Sequence, residues 1–278
     1  MKQKLVCVGA CYLDTILDVP YYPGEDSKLR ATKLQVRRGG NCPNTLEVLQ
    51  QLLRERADHD VQPYLISCLP NVDAPATAKI MRSFGDDSLV DFTRCIYRTD
   101  HTEPASSYII RSEATGSRTL VNYNDLPEMT IDEFITAANE AGDNTWFHFE
   151  GRIPETTLQC IRYLRQSFPH ASVSVEVEKP GRGGLEDLAA EADVVFYSRS
   201  WAEVSHLLAP RAKYGGSIPP IVEIHTVGAG DTFIAGMLFG LLCHHEDWDT
   251  EKKVQFAVQL ATCKVQQDGF DGVGAGVM

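Results

Sequence analysis

The spacing of hydrophobic residues divides the chain into short apolar strands and longer amphipathic helices. The run Leu5–Val8 ends at a glycine, as a buried parallel strand commonly does. Leu46, Leu49 and Leu53 lie on one face of a helix. Asn44 is the predicted N-cap of that helix, because its amide oxygen can accept from an unpaired backbone N–H. Further strands are predicted in TWFHFEG, SVSVEVE and ADVVFYS, and further helices in TTLQCIRYLRQ, FIAGMLFGLL and EKKVQFAVQLATCKVQQ.

Strand and helix patterns alternate over most of the chain, which favours an α/β fold with a parallel sheet covered on both faces. Two segments interrupt the alternation, LRATKLQV and SSYIIRSEATGSRTLVNYN. The second has two strand-like runs around a glycine-containing turn, which predicts a β-hairpin. We expect a small antiparallel β lid, formed by about residues 11–38 and 98–124, on one domain of residues 1–278. The last helix is predicted to bury one stripe of side chains, formed by Val254, Ala257, Val258, Ala261 and Val265.

The net charge of -12 narrows the range of partners. Because no basic block offsets this charge, a nucleic acid or an acidic membrane surface is disfavoured. The most apolar segment, Phe233–Leu242, is about half the length of a membrane span, and no signal peptide is visible, so we expect a cytoplasmic protein. The eight cysteines include no Cys-x-x-Cys pair, and we interpret them as reduced thiols rather than as zinc ligands.

The most informative motif is HTVGAGDTFIAGM, residues 225–237. Gly228, Ala229 and Gly230 lead into an apolar helix, whose unpaired N–H groups and dipole favour an anion. Asp231 follows at once. This carboxylate repels a phosphate, but it suits catalysis if it takes a proton from a hydroxyl that attacks phosphorus. The motif lacks the lysine of a Walker loop and the third glycine of a dinucleotide fingerprint, and the alternative is a tight turn without a ligand.

A hydroxyl-bearing acceptor needs fixed polar partners, and candidates occur where predicted strands end. Asp14 lies just beyond the first strand. Gly40, Asn41 and Asn44 lie at the start of a helix. Ligands of a doubly wound sheet gather beyond the carboxyl ends of its strands, so these residues could form one sugar site. Taken separately, Asp14 would be an acid in a turn, Gly40 a bend in the chain and Asn44 a helix cap.

Two segments, GGNCPN and TVGAGDTFIAG, together resemble the signature regions of the ribokinase-like, PfkB-type carbohydrate kinases. The segments WFHFEGR, SVEVEKP, ADVVF and GFDG resemble the ketohexokinase branch of that family. The resemblance implies a ribokinase-like three-layer α/β/α sandwich with a small antiparallel β lid. It also implies an enzyme that uses ATP and Mg²⁺ to phosphorylate a hydroxyl of a ketohexose such as fructose.

The resemblance further implies roles for individual positions. The family's base, anion hole, sugar site and ATP-phosphate arginine have counterparts here, as does an acid that reaches toward a second subunit's sugar site. Asp231 corresponds to the base, and Gly228, Ala229 and Gly230 correspond to the anion hole. Asp14, Gly40, Asn41 and Asn44 correspond to the sugar site. Arg118 corresponds to the ATP-phosphate arginine, and Asp26 corresponds to the acid that reaches toward the second subunit. A surface salt bridge is the alternative role of the arginine. Because the lid strands of such enzymes clasp those of a second subunit, a homodimer through the β lid is implied.

Two positions depart from the family pattern. His225 stands where relatives carry an aspartate, and an imidazole is a poor neighbour for the potassium ion that some relatives bind. Ser198 stands where many relatives carry the asparagine of a magnesium-linked motif, so the metal ligands stay open. Glu176 and Glu178 are candidates through water only, with an exposed strand face as the alternative.

The segment between Ser198 and His225 is short for the family. A helix, a strand and a hairpin, on the order of 30 residues, have no counterpart near residues 209–218. We favour the interpretation that residues are missing from the printed sequence over a genuine deletion. A genuine deletion would weaken ATP binding. Two other functions stay open: a PfkB-type kinase of ribose, another sugar or a nucleoside, and a catalytically impaired form that binds a sugar or a partner only.

Overall fold

A five-stranded parallel sheet forms the centre of the protein. The computed structural model describes residues 2–56, 60–201, 203 and 228–277. The strands of the central sheet are β1 (Gln3–Val8), β4 (Val61–Ile66), β9 (Thr145–Glu150), β10 (Ser172–Val177) and β11 (Val194–Tyr197). Their order across the sheet is β11-β10-β9-β1-β4, and all neighbouring pairs run parallel. The predicted parallel sheet is therefore confirmed.

Helices cover both faces of this sheet and divide the interior into two hydrophobic cores. They are α1 (Asn41–Glu55), α2 (Pro75–Arg82), α3 (Ile131–Ala141), α4 (Pro154–Ser167), α5 (Leu185–Glu191), α6 (Ala229–Cys243) and α7 (Thr250–Val265). Leu5 and Cys7 of β1 face the core that contains α1, α6 and α7. Val6 and Val8 face the core that contains α3, α4 and α5. This alternation, with apolar residues on both faces, explains the continuous apolar run in the sequence.

A second sheet of four strands forms the lid. Its strands are β2 (Tyr12–Val19), β3 (Lys33–Gly39), β7 (Ser106–Ser112) and β8 (Arg118–Tyr123), in the order β3-β2-β7-β8. The β2–β3 and β7–β8 pairs are antiparallel, which confirms the predicted hairpin. The central β2–β7 pair is parallel, because it joins two separate hairpins, so the lid is a mixed sheet. A short parallel pair, β5 (Cys68–Pro70) and β6 (Ile96–Arg98), lies outside both sheets.

One local prediction was wrong, and a second held only at Ala257 and Ala261. The first helix begins at Asn41 with Gly40 as its N-cap, so Asn44 lies inside α1 and its side chain is free for a contact elsewhere. On α7 the buried positions are Lys253, Ala257, Leu260, Ala261 and Lys264, whereas Val265 is 47% exposed. Packing against α6 rotates the buried stripe of α7 away from the valines.

Several expectations concern residues that lie outside the described part of the chain. These are the shortened segment near 209–218 and the substitution at His225. Within the described part, no helix combines the length and hydrophobicity needed to cross a membrane. All eight cysteines are free thiols.

Candidate active site

The loop that leads into α6 forms the predicted anion-binding turn. Gly228 is the N-cap, with a left-handed backbone (φ 78°), and no side chain of the described residues caps the helix. A Cβ atom at Gly228 would collide with the ring of Phe270, so glycine is required there. Among the described residues, nothing lies within 4 Å of a Cβ placed at Gly230, so the described part of the chain leaves the first turn of α6 uncovered there. Unpaired N–H groups at an open helix N-terminus suit a phosphate.

Asp231 lies in the first turn of α6 and is only 7% exposed. Its Oδ2 accepts a hydrogen bond of 2.8 Å from Nδ2 of Asn44, and its backbone oxygen accepts one of 3.2 Å from Thr45. The side chain therefore has a fixed position between α6 and α1. Asn44 makes this contact because the residue lies one turn inside its helix rather than at the cap.

The environment of Asp231 favours the protonated carboxyl group. Burial raises the pKa of Asp231 from 3.8 to about 7, the hydrogen bond from Asn44 opposes this rise, and the charges of Glu178 and Glu150 reinforce it. The guanidinium of Arg38 also lowers the pKa. A carboxyl group that titrates near neutral pH suits a general base, which must accept a proton and release it again.

The start of α1 carries the predicted sugar-binding amides. Gly40 has a positive φ of 104°. Asn41 Nδ2 donates to both carboxylate oxygens of Glu176 at 3.0 Å and lies 3.4 Å from Glu178 Oε2. Glu176 is buried, and burial raises its pKa, so the alternative of an exposed strand face is excluded at this position. Asn41 is thereby oriented by two acids from the end of β10.

Asp14 lies on β2, in register with Arg37 of β3 and Ser107 of β7. Its carboxylate packs against Gly39, where a Cβ atom would overlap it. Removal from water raises the pKa of Asp14, and a hydrogen bond from Ser107 lowers it in part. The aspartate therefore lies where the lid meets the start of α1.

The remaining two candidates lie apart from these residues. Arg118 begins β8, is exposed and pairs in register with Arg111, whose guanidinium lies 3.9 Å from Asp268 beyond α7. This end of the lid thus lies near the segment that packs on Gly228. Asp26 lies in an exposed turn between β2 and β3, with a positive φ of 54°.

Two residues of the site were missed from the sequence. Glu150 ends β9, its Oε2 accepts a hydrogen bond of 2.9 Å from the Ala10 backbone N–H, and burial raises its pKa. It lines a cavity together with Gly9 and Arg152. A carboxylate followed by glycine at the end of a predicted strand was the available signal. Arg38, directly before the paired glycines, was the other missed residue.

The described residues contain no group of three or more His, Cys, Asp or Glu side chains arranged to hold a metal ion. Ser198 donates to the backbone oxygen of Glu178. Its hydroxyl thus supports the chain after β10.

Comparisons with known proteins find both similar sequences and similar solved structures. The model of the pfkB family of carbohydrate kinases matches residues 216–272. Ketohexokinase from Mus musculus is 29% identical over 315 residues, covering 98% of this chain and 99% of the relative. Ribokinase from Giardia lamblia has a TM-score of 0.74 at 14% identity, covering 100% of this chain and 96% of that one. Ribokinase from Arabidopsis thaliana, solved with ribose and ATP, has a TM-score of 0.69 at 18% identity, covering 97% and 94%.

The chain has the fold of the ribokinases, and an acid follows the glycine turn at the start of α6. These comparisons indicate a likeness to the pfkB carbohydrate kinases, and to a ketohexokinase in particular. The ketohexokinase alignment spans 315 positions, more than the 278 residues of this chain, so the relative has residues where this chain has none. That difference is consistent with the short segment between Ser198 and His225.

Proposed function

We propose that this protein is an ATP-dependent ketohexokinase, which transfers the γ-phosphoryl group to the 1-hydroxyl of a ketohexose such as fructose. The observation that carries the proposal is the buried Asp231, held by Asn44 beside the open N-terminus of α6. The likeness to mouse ketohexokinase over nearly the whole chain supports the choice of sugar.

In the proposed reaction, Asp231 accepts the proton of the attacking sugar hydroxyl. The hydroxyl oxygen forms a bond to the γ-phosphorus while the bond from phosphorus to the β–γ bridging oxygen breaks, which releases ADP. The N–H groups of Gly228, Ala229 and Gly230 stabilise the charge on the transferred group. Water exclusion by the lid would keep the phosphoryl group from hydrolysis.

The sugar would bind between the lid and the start of α1. Asp14 accepts from hydroxyl groups of the sugar, and the oxygen of Asn41 is available to accept because its Nδ2 donates to Glu176 and Glu178. Asn44 lies between this region and Asp231. Such an arrangement would bring one sugar hydroxyl to the base.

ATP would place its phosphates at the α6 N-terminus, with Mg²⁺ held by the phosphate oxygens. The magnesium ion would neutralise charge on the phosphates. No protein ligand is assigned, because the described residues offer no metal-binding cluster. A potassium site is left out of the proposal, since it would depend on residue 225.

Arg118→Ala is expected to raise the KM for ATP about tenfold with little change in the KM for fructose. The reason is that Arg118, at the end of the lid near Asp268, is proposed to contact the phosphates, and one charged contact contributes roughly 1.5 kcal/mol. Steady-state kinetics with each substrate varied in turn measures the effect. A rise confined to the fructose KM would remove Arg118 from the ATP site.

The rate is expected to fall at acid pH because the base must be ionised. Burial raises the pKa of Asp231 to about 7, so kcat/KM for the sugar should decrease tenfold per pH unit below about pH 7 and level off above it. A pH profile of kcat/KM, taken with ATP and Mg²⁺ saturating, measures this limb. A flat profile from pH 5 to pH 8 would contradict the assignment.

We further propose a homodimer through the lid. Val36, Tyr108 and Val121 lie in one cross-strand row, with Thr15 between the first two, and are 41%, 53% and 63% exposed, so the lid presents exposed apolar side chains. Asp26, on its exposed turn, would reach the partner's sugar site. The eight free thiols suit a reducing compartment, and the proposed location is the cytoplasm.

The proposed function is tested by coupled ADP-release assays with fructose, ribose and adenosine on protein of known intact mass. We expect the highest kcat/KM with fructose and phosphate on its 1-hydroxyl in the product NMR spectrum. A preference for ribose or adenosine would replace the proposed acceptor. A mass equal to the 278-residue chain with no ADP from any acceptor would favour a form that binds without turnover.

A further inference from the structure

A buried arginine outside the predicted site contacts the residue that holds the base. Arg38, near the end of β3, is 5% exposed. Its Nη1 donates a hydrogen bond of 2.9 Å to Oδ1 of Asn44, and Nδ2 of Asn44 donates one of 2.8 Å to Asp231. A continuous chain of hydrogen bonds thus joins β3, α1 and α6.

The direction of these bonds fixes the orientation of the Asn44 amide. A guanidinium has donors only, so the amide must present its oxygen to Arg38 and its nitrogen to Asp231. The reversed amide would place an oxygen against the carboxylate and an N–H group against the guanidinium. Both contacts would be repulsive, so Arg38 excludes that rotamer.

Arg38 itself is held on three sides. Its Nε donates to Ser83 Oγ at 3.1 Å, its guanidinium stacks 4.4 Å from the centre of the Phe84 ring, and it forms an ion pair with Glu47. The planar guanidinium of Arg38 is held rigidly by these partners, and the ammonium group of a lysine could not make the same set of contacts.

We propose that Arg38 is a positioning residue for phosphoryl transfer, which orients the Asn44 amide and through it the carboxylate of Asp231. This inference rests on the proposed role of Asp231 as base. It assigns to Arg38 no contact with the sugar or with ATP.

The test is a double-mutant cycle between positions 38 and 44. Because Arg38→Met alone would leave the partly buried Glu47 without its cation, the cycle is made in a Glu47→Gln background. In that background, Arg38→Met is expected to lower kcat about 100-fold, as for a misplaced catalytic group. After Asn44→Ala the same change should cost less than about threefold, since Arg38 acts through Asn44. Additive losses would overturn the proposal, and Arg38→Lys should not restore the rate.

A second measurement follows the carboxylate without any turnover. The ¹³C NMR signal of the Asp231 carboxyl, assigned by its loss in Asp231→Asn, is titrated in the Glu47→Gln protein with and without Arg38→Met. Burial raises the pKa of Asp231 to about 7, and this pKa should rise further when the Arg38 guanidinium is lost. The polar and charged groups that face Asp231, besides Arg38, are Asn44, Glu150, Glu176, Glu178 and Lys264.

The matched control is Arg54→Met, which removes an arginine of α1 whose ion pair with Asp87 is at the surface. It should change neither the rate nor the titration. An unchanged Asp231 titration in Arg38→Met would contradict the proposal even if the wild type phosphorylates no sugar. If the wild type shows no turnover but the titration of Asp231 still changes when Arg38 is lost, the result would count against the proposed function alone.

Discussion

Asp231→Asn is expected to lower kcat with fructose by about 10²–10⁴-fold, the range typical of a lost general base. The amide has nearly the same shape as the carboxylate, but it has no lone pair basic enough to take the hydroxyl proton. Sugar affinity, measured by calorimetry without ATP, should change less than about threefold, since Asp14 and Asn41 remain in place. Steady-state ADP release measures the rate.

The same substitution separates catalysis from stability. Burial raises the pKa of Asp231 above its unfolded value of 3.8, so the folded protein binds this proton more tightly than the unfolded chain does between about pH 4 and pH 7. Ionisation of Asp231 therefore costs stability as pH rises through this window. Asp231→Asn should melt at a higher temperature than the wild type at pH 8, while near pH 4 the difference should vanish. Unchanged turnover in this variant would remove Asp231 from its role.

Gly40→Ala is expected to damage both stability and the sugar site. Gly40 has a φ of 104°, and a Cβ atom there would lie 2.1 Å from the backbone oxygen of Ala10. Backbone strain alone costs about 1–3 kcal/mol, and the collision must also displace the start of α1. Because Asn41 begins that helix and Asn44 lies one turn inside it, kcat/KM for fructose should fall about 100-fold.

Thermal unfolding and kinetics measure this effect, with Gly183→Ala as the matched control. Gly183 is exposed, its φ is not positive, and a Cβ there would meet nothing within 4 Å. The control should keep the melting temperature within about 2 °C and the full rate. A Gly40→Ala protein as stable and active as the control would show that the start of α1 is not the rigid element described above.

The predictable parts of the fold were those encoded by local pattern. The apolar run of β1, the hairpin of β7 and β8, and the GAGD turn at α6 each depend on neighbours in sequence. Asn44 was mistaken for an N-cap because cap preference alone does not show that Gly40 already starts the helix. The buried stripe of α7 was misplaced because packing against α6 determines which face of the helix is buried. Lys253 and Lys264 lie on that face because their aliphatic stems can be buried there.

The site was predictable as a set of residue types but not as a network. Strand ends and glycine turns located Asp14, Asn41 and Asp231. The contacts that tune them join residues far apart in the chain, such as Asn41 with Glu176 and Asn44 with Asp231. Single-sequence patterns do not record such pairings, which is why Arg38 appeared only as one basic residue among several.

The central claim is that Asp231 supports phosphoryl transfer from ATP to a sugar. Its most direct measurement is ³¹P NMR of the purified protein with ATP, Mg²⁺ and fructose, run beside the Asp231→Asn variant. We predict one fructose 1-phosphate for each ADP formed in the wild type and almost none in the variant. Equal amounts of ADP with and without fructose, or equal product from both proteins, would contradict the account.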